Sequence, residues 1–227
     1  MLKAVIFDMD GVIVDSEPGY FYAASAVLKR YGKVLEKEYF EQFFGGSCAD
    51  MWKATLEYTG LTDLTVPFCV KEMAKERRKL IDKEGYCPID GVLPLIEQIA
   101  GEGVGMAIAS SSPMDEILRV TKAMDIQKYF QHFVSGVDEC ENAKPFPDVF
   151  LLAAEKLAMK PEECLVIEDS DNGARAAKRA GMTVIGFQNL EYGNQKLEEA
   201  DFVVNSMKEI DFNLCQKIAR TAECKEG

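Results

Sequence analysis

Histidine is nearly absent from this sequence: His132 stands alone among 227 residues. It lies apart from every motif described below and is read as structural. That argues against imidazole-built zinc sites and against proton transfer relayed through histidine. Cysteine occurs seven times, at Cys48, Cys69, Cys87, Cys140, Cys164, Cys215 and Cys224, an odd number with no C-x-x-C pair. Neither a disulfide framework nor a thiolate metal site is expected; reduced thiols in a cytoplasmic protein are. Basic residues are outnumbered, 26 Lys and Arg against 38 Asp and Glu, for a formal net charge of -12. Nucleic acid and anionic membrane both demand clustered positive charge, so neither is an expected partner. Long apolar runs are missing too. No stretch is long enough to span a bilayer, and charges interrupt residues 1–8 too early for a secretory signal. What remains is an ordinary globular composition, 48% hydrophobic and 28% charged. The chain has room for a sizeable core with one smaller companion. Nothing calls for an oligomer, so a monomer is expected.

Short apolar runs punctuate the chain instead. Residues 4–7 are continuously apolar and stop at Asp8, as in a central strand buried on both faces. Residues 104–109, 164–167 and 183–187 read alike, with weaker strands at 132–135 and 202–204. Helical patterns lie between them: 93–99, 114–124, 149–157 and 173–180. Ser112 is the expected N-cap of the second, with Pro113 at its first position. Alternating strands and helices predict an α/β, Rossmann-like core with a parallel sheet. One segment breaks the rhythm. Residues 20–31, 37–44, 49–58 and 66–81 read as helices, with no strand between them. The expected division is a core of 1–16 and 83–227, with an inserted all-helical cap domain over 17–82. Asp15 is read as capping the helix that enters it, and the tail from about Arg220 as frayed.

Ligands of open α/β sheets bind beyond the carboxyl ends of the strands. The polar residues there are Asp8 and Asp10, then Ser110 with Ser111, then Glu168 and Asp169; Lys144 lies in a loop that reaches the same edge. Crowded carboxylates repel and keep their charge only around a cation. Oxygen ligands without histidine or cysteine suit Mg²⁺. Such a set is equipped for phosphoryl transfer. Asp8 can attack phosphorus, and Asp10 can protonate the leaving group and later deprotonate water. Lys144 and the metal neutralise the phosphoryl oxygens, and Ser110 with the following helix N-terminus can hold one of them.

The motifs Asp8-Met9-Asp10-Gly11-Val12-Ile13-Val14-Asp15-Ser16, Ile108-Ala109-Ser110, Lys144-Pro145-Phe146-Pro147-Asp148-Val149-Phe150 and Ile167-Glu168-Asp169-Ser170 occur in this order. Together they make the chain resemble the haloacid dehalogenase superfamily, in the subgroup with a helical cap after the first motif. The resemblance implies Asp8 as nucleophile and Asp10 as acid and base. It implies Mg²⁺ on Asp8, the backbone oxygen of Asp10, Asp169 and Glu168, with phosphate on Ser110 and Lys144; the neighbouring Ser111 is a further candidate phosphate contact. The second aspartate, Asp10, favours phosphoryl transfer over dehalogenation. In the cap, Tyr20, Phe44 and Gly45 are the candidate substrate contacts.

That subgroup holds phosphatases and β-phosphoglucomutases. The mutases carry a histidine soon after the first motif and a Lys-Gly-x-Ser-Arg segment in the cap; here these places hold Tyr20 and Phe44-Gly45-Gly46-Ser47-Cys48. A sugar bisphosphate would lack its cationic clamp. The expectation is a Mg²⁺-dependent phosphatase of a small phosphorylated metabolite, a sugar phosphate foremost. The alternatives are a phosphoglucomutase-like mutase and a non-catalytic Mg²⁺-dependent binding protein.

Overall fold

The computed structural model describes residues 2–43, 47–190 and 195–223, except the side chains of 222 and 223. The described residues fall into two compact units, one of 2–15, 87–190 and 195–223, the other of 16–86.

The first unit is built on six parallel strands: β1 (Ala4–Phe7), β2 (Gly105–Ser110), β3 (His132–Ser135), β4 (Cys164–Glu168), β5 (Thr183–Phe187) and β6 (Phe202–Val204). Their order is β3-β2-β1-β4-β5-β6. The chain starts in the middle of the sheet, builds outward to one side, then returns to β1 to build the other. The order therefore reverses between β1 and β4, the place where such sheets open a crevice. Every residue of β1, β4 and β5 is buried, which is why these strands read as apolar runs, broken only by Glu168 at the end of β4 and Thr183 at the start of β5. β2 begins one residue later than its apolar run and includes Ser110, which pairs in register with Ser135.

The helices that follow supply the covering layers: α5 (Val92–Gly101), α6 (Met114–Ala123), the single-turn α7 (Gly136–Glu139), α8 (Asp148–Lys156), α9 (Asp171–Arg179) and α10 (Phe212–Glu223). In α5 the buried residues are Val92, Leu95, Ile96 and Ile99, one stripe at helical spacing. α9 turns Ala174, Ala176 and Ala177 inward. Small side chains let its axis approach the sheet, while Arg175 and Lys178 pair outward with Glu199 and Asp201. Two features differ from the sequence reading. α10 buries Phe212, Cys215, Ile218 and Ala219 and runs through Arg220 to Glu223, beyond the expected fraying point. α6 is entered through Pro113 at the cap position with no side-chain cap bond; Ser112 is not its cap.

The second unit is helical: α1 (Glu17–Lys29), α2 (Lys37–Phe40) continued by a 3₁₀ turn at Glu41–Phe43, α3 (Cys48–Thr59) and α4 (Val66–Glu84). Val27, Leu28, Phe40, Met51, Trp52, Cys69 and Met73 form its own core. The cap position of α1 is Ser16, without a side-chain cap bond, so Asp15 does not fill it; the Asp15 N–H donates to the Cys87 carbonyl instead. No helix among the described residues is long and apolar enough to cross a membrane.

The core of the sheet unit gives a direct stability test. Ile6 is fully buried in β1 and belongs to the core cluster against α8 and α9. Ile6→Ala should cost about 2–5 kcal/mol from lost burial and the cavity left behind. Urea unfolding with an unchanged m-value reads this cost.

Candidate active site

Three strand ends meet at one edge. Phe7 is in register with Ile108 of β2 and with Ile167 of β4, so Asp8 emerges between the end of β2 and Glu168. Its N–H donates to the Ile167 carbonyl at 3.0 Å, which extends the ladder one residue and fixes where the carboxylate leaves the sheet.

Lys144 brings the strand ends together. Its Nζ donates to Asp8 Oδ1 at 2.5 Å and to Glu168 Oε1 at 2.7 Å. It also lies 4.8 Å from the centre of the Phe150 ring. Asp8 is only 5% exposed and Glu168 1%. Burial pushes the Asp8 carboxyl up to about 7; Lys144 pulls it back only in part, and the charge of Glu168 adds to the rise. For Lys144, burial alone would favour the neutral amine. The carboxylates of Asp8 and Glu168 outweigh it and hold the ammonium charged above its ordinary range.

After Asp8 the chain makes a tight loop. The N–H groups of Ile13 and Val14 both donate to the Met9 carbonyl, and that of Gly11 to Val14. Gly11 has φ of +81°, and a Cβ there would stand 2.0 Å from Asp169 Oδ2. The position thus requires glycine twice, for its backbone and because the Asp169 carboxylate fills the space. Contact with this loop brings Asp169 to the motif that carries Asp8 and Asp10.

Glu168 is held from the other side. Its Oε2 accepts from the Ser170 N–H at 2.8 Å and the Ser170 hydroxyl at 2.9 Å. Ser170 also caps α9, accepting from the Gly173 N–H. Both oxygens of Glu168 are thus engaged by protein donors. Among the described residues, no three His, Cys, Asp or Glu side chains group closely enough to hold a metal by themselves. The donors at this edge are carboxylate and backbone oxygens. That set fits Mg²⁺, which takes one or two carboxylates and completes its shell with water and phosphate oxygens.

The loop after β2 supplies hydroxyls. Ser110 is 1% exposed, and its Oγ accepts from the Ser112 N–H at 3.0 Å. Ser111 is exposed. The Ser112 hydroxyl donates to Asp10 Oδ2 at 2.7 Å, a contact the sequence reading missed because it cast Ser112 as a helix cap. Gly173 was missed as well; the signal available was Ser170 three residues before a glycine. In the helical unit, Tyr20 stacks under the Arg77 guanidinium, 4.5 Å from ring centre to Cζ. Phe44 and Gly45 lie outside the described residues.

The sequence profile of the haloacid dehalogenase-like hydrolases matches residues 5–187. The chain belongs to that family. Its relatives include a phosphorylated carbohydrates phosphatase of Thermotoga maritima, 33% identical over 218 residues that cover 92% of this chain and 100% of the relative. A phosphoglycolate phosphatase of Salmonella typhi is 29% identical over 230 residues, covering 92% and 91% of the two chains. Among solved structures, a β-phosphoglucomutase from Clostridium difficile superposes with a TM-score of 0.78 at 25% identity, covering 97% of this chain and 98% of that one. The family's hydrolases thus match this chain along nearly its whole length, helical unit included.

Proposed function

We propose that this chain is a Mg²⁺-dependent phosphatase of small phosphorylated carbohydrates, working through a phosphorylated Asp8. One observation carries the reading: a buried carboxylate at the end of the central strand is held by an ammonium, with a second carboxylate two residues on. A buried Asp–Lys–Glu cluster costs desolvation energy that an apolar core would not, so its presence at a sheet's ligand edge points to chemistry.

In this reading Asp8 is the nucleophile. Asp10 gives a proton to the leaving alcohol and then takes one from the attacking water. Lys144, charged by its two neighbours, balances the phosphoryl oxygens. Ser110 and Ser111 bind phosphate at the start of α6. Asp8, Asp169 and the backbone oxygen of Asp10 would hold the metal, with Glu168 beside them as the group that keeps Lys144 in place. Bound Mg²⁺ supplies charge stabilisation at the phosphoryl oxygens.

The carbohydrate class is supported by the relative named for phosphorylated carbohydrates, and hydrolysis by the departures from the mutase pattern at Tyr20 and at residues 44–48. The likeness to a β-phosphoglucomutase keeps isomerisation as the second reading. A phosphate-release screen over sugar phosphates and phosphoglycolate, run beside a β-glucose 1-phosphate isomerisation assay, separates them. We expect release from several sugars, abolished by EDTA and restored by Mg²⁺. Isomerisation without release would overturn the hydrolase reading, and activity in EDTA would overturn the metal.

A further inference from the structure

We infer that Ser112 is the positioning residue for Asp10, holding its carboxylate in line for both proton transfers. The inference rests on the acid–base reading of Asp10 and goes beyond it. The Ser112 hydroxyl donates to Asp10 Oδ2 at 2.7 Å, across 102 residues of sequence. The ordinary explanation for a serine in this place is a helix cap, but the cap position of α6 is Pro113, and the helix's first N–H, that of Met114, donates to Asp138 instead. The hydroxyl is committed to the carboxylate.

The backbone that carries this hydroxyl is fixed at both ends of the residue. The Ser112 N–H donates to Ser110 Oγ. Its carbonyl accepts from the hydroxyl of Ser135 at 2.8 Å, and Ser135 is fully buried at the end of β3. Ser135 is anchored in turn, its N–H donating to Glu139 Oε2, while Glu139 pairs with Lys156. Two residues on, the Met114 N–H donates to Asp138 Oδ2 at 2.7 Å. A hydroxyl on so constrained a loop is a fixed reference point. The carboxylate it meets sits on a short side chain that still has two torsions to set.

The chemistry needs that setting twice. In the first step an Asp8 oxygen bonds to phosphorus, the bridging P–O bond breaks, and the Asp10 proton goes to the departing alkoxide. In the second, a water oxygen bonds to phosphorus, its proton goes to Asp10, and the bond from phosphorus to Asp8 breaks. Both transfers require the same carboxyl at hydrogen-bond reach of two different oxygens, and a misplacement of about 1 Å is worth roughly 10²-fold in rate.

Ser112→Ala, Ser112→Cys and Ser112→Thr separate this role from a structural one, with Asp10→Asn alongside. For a sugar phosphate, whose alkoxide needs the proton, Ser112→Ala should lower kcat roughly 10–100-fold with KM changed less than about threefold. For p-nitrophenyl phosphate, whose leaving group needs no proton, the initial burst of nitrophenolate should keep its rate within about threefold, while steady turnover slows with the second step. Threonine should restore sugar-phosphate turnover and cysteine, a poor donor, should not. Equal loss on both substrates in the burst, or no loss on either, overturns the inference; if Ser112→Ala does not fold, the Cys and Thr pair decides by the same criteria. Wild-type kinetics in Asp10→Asn would instead overturn the acid–base reading itself.

Discussion

Asp8→Asn should lower turnover on the order of 10⁴-fold or more and leave the fold intact. An amide oxygen is too weak a nucleophile to open a phosphate ester, and loss of a nucleophile is among the largest single effects known for enzymes that act through one. The amide can still accept from Lys144, and Glu168 keeps the ammonium paired. The stability effect has a definite sign. The Asp8 pKa is raised from 3.8 to about 7 in the folded protein, so the folded state binds this proton more tightly than the unfolded chain. The stability it contributes is full below pH 3.8 and is lost as pH rises through about 7. Asparagine has no proton to lose. In metal-free buffer at neutral pH, Asp8→Asn should therefore melt higher than the wild type, and the gap should close toward pH 4. Substantial residual turnover would remove Asp8 as the nucleophile, and a lower melting point at neutral pH would remove the burial argument.

Gly173→Ala should damage both stability and catalysis, against the rule for its position. Gly173 lies inside α9, where alanine is ordinarily favoured over glycine by about 1 kcal/mol. Here the added methyl would stand 1.7 Å from Glu168 Oε1 and 1.9 Å from its Cδ. Glu168 would have to leave a site where Lys144 and Ser170 hold it. Breaking one arm of a buried charge cluster costs about 3–5 kcal/mol, which outweighs the propensity gain. Lys144 would then lose one of its two anchors beside Asp8, and kcat should fall roughly 10²-fold. Gly101 in α5 is the control, because a Cβ there would meet nothing within 4 Å. Urea unfolding and kcat on both variants decide the matter: a Gly173→Ala protein as stable and as fast as Gly101→Ala would sink the argument.

The sheet was legible because of how it is buried. Residues 4–7 and 183–187 coincide with β1 and β5, since strands covered on both faces are almost wholly apolar, Thr183 being the one polar residue in the two. Asp8, Lys144, Glu168 and Asp169 stood out as polar punctuation where such runs end or loops return. α10 was missed although Phe212, Cys215, Ile218 and Ala219 follow helical spacing; its polar residues dilute the stripe near a terminus. Ser112 and Gly173 could not be read from local pattern at all. One is defined by a carboxylate 102 residues away, the other by the volume of a neighbouring side chain. Both are facts of packing, which no periodicity encodes.

The pairing of β1 with β2 has a further consequence, since the whole helical unit lies in the connection between two adjacent strands. Loop-closure entropy grows only with the logarithm of loop length, so carrying that unit instead of a short crossover costs about 1 kcal/mol. Because it folds around its own core, it repays that cost itself. Such an insertion can be lengthened, exchanged or re-lined without loosening the strands that carry Asp8 and Glu168. The strand ends can thus keep their geometry while the sequence between β1 and β2 changes.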